Sequence, residues 1–255
     1  HFGRLYRTYQ PAVRLAGVGQ RVLGNTLCHA PHSAILFGGN EHVIEDNEIY
    51  DVLRETGDSG AIYCGRDWTI HGTRIAANFI HHLGGTDGRW QNAIYLDDMA
   101  SGIEVTDNVI WRAHWGMLVG GGRDLDIHGN SFIECDLGIR FDARGVGWMA
   151  KHIADPETST LHKRLAAMPI EQEPWASRYP SLAHYLTDRF GRPVGSRVTD
   201  NTFIATEPGP VDDLECVEVS GAIELSERPA WLNPGDFVET GPRLGERVIG
   251  SATLA

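Results

Sequence analysis

The apolar residues of this chain fall into short runs that repeat. Six segments place Val or Ile three residues before an Asn and Leu, Ile or Phe two residues after it: VLGNTL (22–27), IEDNEI (44–49), IAANFI (75–80), VTDNVI (105–110), IHGNSF (127–132) and VTDNTF (198–203). The Asn positions are Asn25, Asn47, Asn78, Asn108, Asn130 and Asn201, separated by 22, 31, 30, 22 and 71 residues. A second run follows each of the first five: SAILFG (33–38), GAIYCG (60–65), NAIYLD (92–97), WGMLVG (115–120) and LGIRFD (137–142). In these the alternation is that of a strand buried on one side. It points Ile35/Phe37, Ile62/Cys64, Ile94/Leu96, Met117/Val119 and Ile139/Phe141 inward. Tyr63, Gly65, Tyr95, Asp97, Leu118, Gly120, Arg140 and Asp142 then face outward.

Short β-branched strands, a turn residue that stacks on itself and a period in the twenties predict an all-β solenoid, a parallel β-helix. Its coils stack at about 4.8 Å, the spacing of paired strands. Each Asn is expected in an inward turn, satisfying backbone groups of its neighbours. The L-x-x-L-x-L frame of a leucine-rich repeat is missing. The repeat core covers about 13–144 and 196–204 within one domain, 1–255. Coils two and three take 13 and 14 residues from Asn to the next strand, against 7 or 8 elsewhere, through DVLRETGDS and HHLGGTDGRWQ. A helical insertion is expected at about 145–196, from the spacing of Leu161, Leu165 and Met168 and of Leu182, Tyr185 and Leu186, interrupted by Pro169, Pro174 and Pro180. Insertions on a solenoid gather on one face, often the binding face. Residues 205–255 lose the repeat and are expected to cap the open end.

Composition narrows the function. Hydrophobic content of 42% and charged content of 22% are those of a soluble globular protein. A net charge of −12 argues against a nucleic-acid partner, which calls for a basic face. The four Cys have no C-x-x-C spacing, and Cys64 at an inward position reads as a buried thiol. No run of 18 apolar residues exists, so no membrane span is expected. The 12 His are scattered without a metal-binding spacing, and neither metal nor cofactor is expected. The chain begins at His1 without a signal peptide and is expected to be a segment of a longer protein.

Candidate chemistry collects on the outward face. Asp58 precedes the coil-two strand in an enlarged loop, Asp97 and Asp98 end the coil-three strand, and Arg66 aligns with Asp98 so that the two can pair. Two acids from adjacent coils suit glycosidic cleavage, in which one carboxyl protonates the leaving oxygen and the other acts as nucleophile or base. Tyr63 and Tyr95 offer stacked rings, for a sugar or simply for the sheet. His114, Trp115, Arg140 and Asp142 are further candidate substrate contacts. Asp67 and Asp136 read as turn caps.

GVGQRVLGNTLCHAPHSAILFGGNEHVIEDNEIYDV, GDSGAIYCGRDWTIHG, AIYLDDMASGIEVTDNVI and RYPSLAHYL resemble glycoside hydrolase family 141, over about residues 8–204. The resemblance implies a pectin-lyase-like, right-handed parallel β-helix. It implies activity on plant cell-wall polysaccharide, as a pectic α-L-fucosidase or a xylanase, with Asp58 and either Asp97 or Asp98 as the catalytic pair. It also implies a secreted or periplasmic protein, expected to be a monomer whose partner is a polysaccharide or oligosaccharide. Members of that family carry a longer N-terminal portion. Two alternatives stand beside this reading. One is a polysaccharide lyase or uronate epimerase using Arg66, Arg112 or Arg140. The other is a carbohydrate-binding module without catalysis.

Overall fold

The computed structural model describes residues 7–84 and 90–233. One strand, β1 (Val13–Leu15), precedes the first coil. Coil one consists of β2 (Arg21–Leu23), β3 (Thr26–Cys28) and β4 (Ile35–Phe37), and coil two of β5 (Val43–Glu45), β6 (Glu48–Tyr50) and β7 (Ser59–Gly65). Coil three has β8 (Thr73–Ala76), β9 (Phe79–His81) and β10 (Gln91–Asp97), and coil four has β11 (Ile103–Thr106), β12 (Val109–Trp111) and β13 (Trp115–Gly120). Coil five contributes β14 (Asp126–His128), β15 (Ser131–Ile133) and β16 (Leu137–Asp142). Coil six has β17 (Ser196–Thr199) and β18 (Thr202–Ile204), followed by β19 (Val217–Ser220) and β20 (Ile223–Leu225). Equivalent strands of successive coils pair in parallel and build three sheets: a face sheet β1-β4-β7-β10-β13-β16, a second sheet β2 to β19 and a third β3 to β20. The fold is therefore the parallel β-helix expected from the pattern.

Register follows the alternation. Ile62 pairs with Ile35 and Ile94, Ile94 with Met117, and Met117 with Ile139, so the inward residues form one continuous core inside the coils. The Asn residues form a ladder along it. The Nδ2 of Asn25, Asn47, Asn78, Asn108 and Asn130 each donates to Oδ1 of the next Asn at 2.9–3.0 Å. Each of the same five offers its backbone N–H to that oxygen at 3.0–3.1 Å. Buried peptide groups in the turn are satisfied in this way, which is the role the sequence assigns to the Asn. The residue before each ladder Asn (Gly24, Asp46, Ala77, Asp107, Gly129, Asp200) has positive φ, a conformation open to Gly and tolerated by Asp.

The end of the solenoid departs from expectation. Residues read as a cap contain β19 and β20, which extend the second and third sheets. Val198 pairs with Val219 and Thr202 with Ile223, which places Ala222 where a seventh ladder Asn would stand. The repeat persists in the backbone after its marker residue is gone. Residues 234–255 of that segment, and 85–89 of the enlarged coil-three loop, lie outside the described residues.

The excursion is partly helical, with α1 (Ala150–Ala154), α2 (Thr160–Ala166), α3 (Trp175–Arg178) and a 3-10 turn at Pro180–His184. Leu161, Leu165, Leu182 and Tyr185 bury themselves against Trp68 and Met99, residues of the turns that follow β7 and β10. Met168 is only half-buried and Leu186 is exposed. Polar ties reinforce this second core: Tyr185 donates to Asp124 Oδ2 at 2.7 Å, its hydroxyl lies 3.0 Å from His71 Nε2, and Arg123 pairs with Asp188. The excursion therefore stands beside the C-terminal ends of the face strands. Among the described residues no helix is long and apolar enough to cross a membrane.

Candidate functional site

The outward side of the face sheet floors a cavity of about 850 Å³. β7 contributes Tyr63 and Gly65, with Asp58 just before it and Arg66 just after. β10 contributes Tyr95 and Asp97, with Asp98 next. Trp115 and Leu118 come from β13, and Arg140 and Asp142 from β16. Nine of the ten residues singled out from sequence thus meet in one place. His114 does not line the cavity: its Nδ1 lies 2.7 Å from Asp136 and its ring stacks on Trp115. Asp136 is therefore a hydrogen-bond partner for His114, whereas Asp67 accepts from the backbone N–H and hydroxyl of Thr69, as a turn cap should.

Small residues make room for the acids. Asp97 lies opposite Gly65, where a Cβ would stand only 2.8 Å from the Asp97 Cβ. Gly120 lies opposite Asp142, and a Cβ there would meet the Arg144 guanidinium carbon at 2.7 Å. Arg144, two residues beyond β16, is the residue the sequence reading missed. From this seat it donates to Asp97 Oδ1 at 2.7 Å, to Asp98 Oδ1 at 2.9 Å and, through Nε and Nη2, to Asp142 at 2.8–3.2 Å. Burial disfavours its charge, but the hydrogen bonds and charge of Asp142 more than offset that, and its pKa is raised.

The adjacent acids Asp97 and Asp98 have different surroundings. Asp98 is 3% exposed and held by two guanidinia, Arg66 at 2.7 Å as the alignment anticipates and Arg144 at 2.9 Å. Both arginines tie its oxygens down, one each, which gives it a positioning role. Asp97 opens onto the cavity. Burial, and next the charge of Asp98, raise its carboxyl above the usual carboxylate range; hydrogen bonds from Tyr63 and Tyr95 and the Arg144 charge oppose the rise without cancelling it. Tyr63 donates to Asp97 Oδ2 at 2.7 Å, and burial together with that carboxylate holds the phenol protonated. Tyr95 donates to Asp58 Oδ1 at 3.4 Å. One tyrosine hydroxyl therefore stands between an exposed acid on coil two and a partly buried acid on coil three.

The remaining walls come from outside the repeat. Trp90 stands edge-on to Trp115 at 5.1 Å, Trp148 follows β16, and Arg164 of α2 reaches the carbonyls of Gly65 and Arg66. Arg140 is engaged by both oxygens of Asp212, at 3.0 and 2.8 Å.

A parallel β-helix with such a cleft belongs to a class of proteins consistent with acting on or binding polysaccharide. The family itself is that of the right-handed beta helix region: its model matches residues 11–150, and the chain belongs to it. No protein of curated function matches the chain.

Proposed function

We propose that the protein is a glycoside hydrolase acting on a plant cell-wall polysaccharide, with Asp97 as general acid and Asp58 as its partner carboxylate. The carrying observation is the unequal pair: a cavity-facing Asp97 held toward its protonated form, and an exposed Asp58 one coil away on the same tyrosine. A carboxyl that holds its proton more tightly than usual, with a second acid within reach, is what this reaction needs. Asp97 gives its proton to the glycosidic oxygen as the bond to the anomeric carbon breaks. Asp58 either attacks that carbon or takes a proton from the attacking water. Asp98 and Arg144 do not react; they position Asp97 and tune its charge. The resemblance in sequence supports a pectic α-L-fucoside or a xylan-like substrate, and with it a secreted or periplasmic location.

The test is hydrolysis of aryl fucosides, xylosides and arabinosides and of pectic oligosaccharides by wild type and by the Asp97→Asn and Asp58→Asn variants. Each substitution is expected to lower turnover about 10²–10⁴-fold, the usual contribution of a positioned acid or base. Retention of the anomeric configuration in the first product would make Asp58 a nucleophile, and inversion a base. An unsaturated, ultraviolet-absorbing product would instead establish a lyase. Unchanged carbohydrate binding in both variants with no turnover by wild type would establish a binding module.

A further inference from the structure

We propose that the cleft holds an extended neutral glycan, laid along the face strands from a Trp90–Trp115 platform at one edge to a Trp148 platform at the other and passing over Asp58 and Asp97. The inference rests on the reading of the site as carbohydrate-active and names the substrate class and the residues that select it.

Two of the largest apolar side chains on the described surface sit at this cleft: Trp90 is 54% exposed and Trp148 61%. Indole faces left in water beside carboxylates suit the C–H face of a pyranose, which removes apolar area from water while its hydroxyls reach polar neighbours. Both rings are supported. Trp90 meets Trp115 edge to face, and the Arg144 guanidinium carbon lies 5.5 Å from the centre of the Trp148 ring. Their positions set a span. Trp90 directly precedes β10 and Trp115 opens β13, whereas Trp148 lies beyond the C-terminal end of β16. Face strands of six or seven residues separate the two edges by roughly 20 Å, the reach of about four sugar units. Asp58, one residue before β7, lies toward the Trp90 edge and Asp97, which ends β10, toward the Trp148 edge, with the Tyr95 hydroxyl reaching Asp58 from β10.

Charge selects against uronates. Each arginine lining the cavity already meets a carboxylate: Arg66 meets Asp98, Arg140 meets Asp212, Arg144 meets three aspartates and Arg164 meets Asp67. A sugar carboxylate would have to displace one of these partners and would then stand beside the aspartate it displaced. A neutral chain has no such cost.

The test is a binding titration by intrinsic tryptophan fluorescence and calorimetry. The probes are xylo-, cello- and manno-oligosaccharides of two to six units, with oligogalacturonates of the same lengths. The proteins are wild type, Asp97→Asn, Trp90→Ala and Trp148→Ala. Affinity for at least one neutral series is expected to rise about tenfold or more with length, levelling near four units. Trp90→Ala and Trp148→Ala should each weaken it about tenfold and flatten the length dependence, with melting temperature unchanged because both rings are exposed. Four results would overturn the proposal: no neutral oligosaccharide bound, no dependence on length, wild-type binding by both Trp variants, or tighter binding of oligogalacturonates. Length-dependent binding without turnover by wild type would remove the hydrolase reading and leave the platforms. Turnover with an unaltered KM in both Trp variants would do the reverse.

Discussion

Two neighbouring aspartates with the same side chain have opposite fates because of what meets them. Asp98 is clasped by Arg66 and Arg144, whereas burial, and next the charge of Asp98, raises the Asp97 carboxyl. That arrangement has a thermodynamic consequence. A carboxyl whose value is raised by folding binds its proton more tightly in the native state, so stability falls as pH climbs from the ordinary carboxyl range through the raised value. Asp97→Asn removes that loss. Melting temperatures should coincide near pH 3 and diverge toward pH 7, the variant being the more stable; a variant less stable at pH 7 would refute the tuning of Asp97. Much of this centre was legible in sequence. Outward parity located Tyr63, Tyr95, Asp97, Arg140 and Asp142, and strand alignment gave the Arg66–Asp98 pair. Arg144 was not legible, because it sits two residues past the last face strand, at the final position of the repeat core, where neither parity nor strand alignment gives a side chain a direction. The signal was indirect: the column Gly65, Asp97, Gly120, Asp142 leaves a gap between two acids that only a cation could fill comfortably. His114 failed for the converse reason, since parity says nothing about a turn residue that finds its own carboxylate.

At the scale of the element, stability is carried by a turn as much as by strands. Asn108 donates to Asn130 Oδ1, Ile75 O and Thr106 O, and its Oδ1 accepts from both nitrogens of Asn78. Asn108→Ala strands several of these buried groups together, and at about 1–3 kcal/mol for each unsatisfied group the loss should be at least about 3 kcal/mol. Urea unfolding at neutral pH measures it. The reverse change is informative at the open end. Ala222→Asn would add a rung above Asn201, and a net gain of about 1 kcal/mol is expected from the new hydrogen bonds, read as a higher urea midpoint. This element also shows where pattern reading stops. Three sequence columns found six rungs, but the seventh backbone rung carries Ala222, and a search keyed to Asn had nothing to find. The Gly or Asp before five of the six rungs takes the positive φ that the turn requires, a column the apolar pattern does not reach.

For the molecule as a whole, the excursion is both a second core and a wall of the cleft. Its attachment depends on Tyr185, whose hydroxyl lies between Asp124 and His71. Tyr185→Phe leaves two polar partners without their link inside that packing. Limited proteolysis should then cut within 145–196 sooner than in wild type, while the coils stay protected; equal cleavage rates would show that apolar contact alone holds the excursion. Sequence placed this insertion correctly from a single interruption of the period, but its helices were only partly readable. Prolines break the pattern, and which apolar residues turn inward is decided by Trp68 and Met99, which lie far away in the chain.

Asn130 and Asn201 are 71 residues apart and make the same 3.0 Å rung as Asn25 and Asn47, which are 22 apart. Closing the longer loop costs only about 1 kcal/mol more, because closure entropy grows with the logarithm of length. Coils one to five can therefore zip up between near neighbours during folding, while coil six must wait for its strand to return from the detour. The joint between Asp142 and Ser196 thus behaves as a socket: one polypeptide plug could be exchanged for another there, and the clockwork of the coils would still engage.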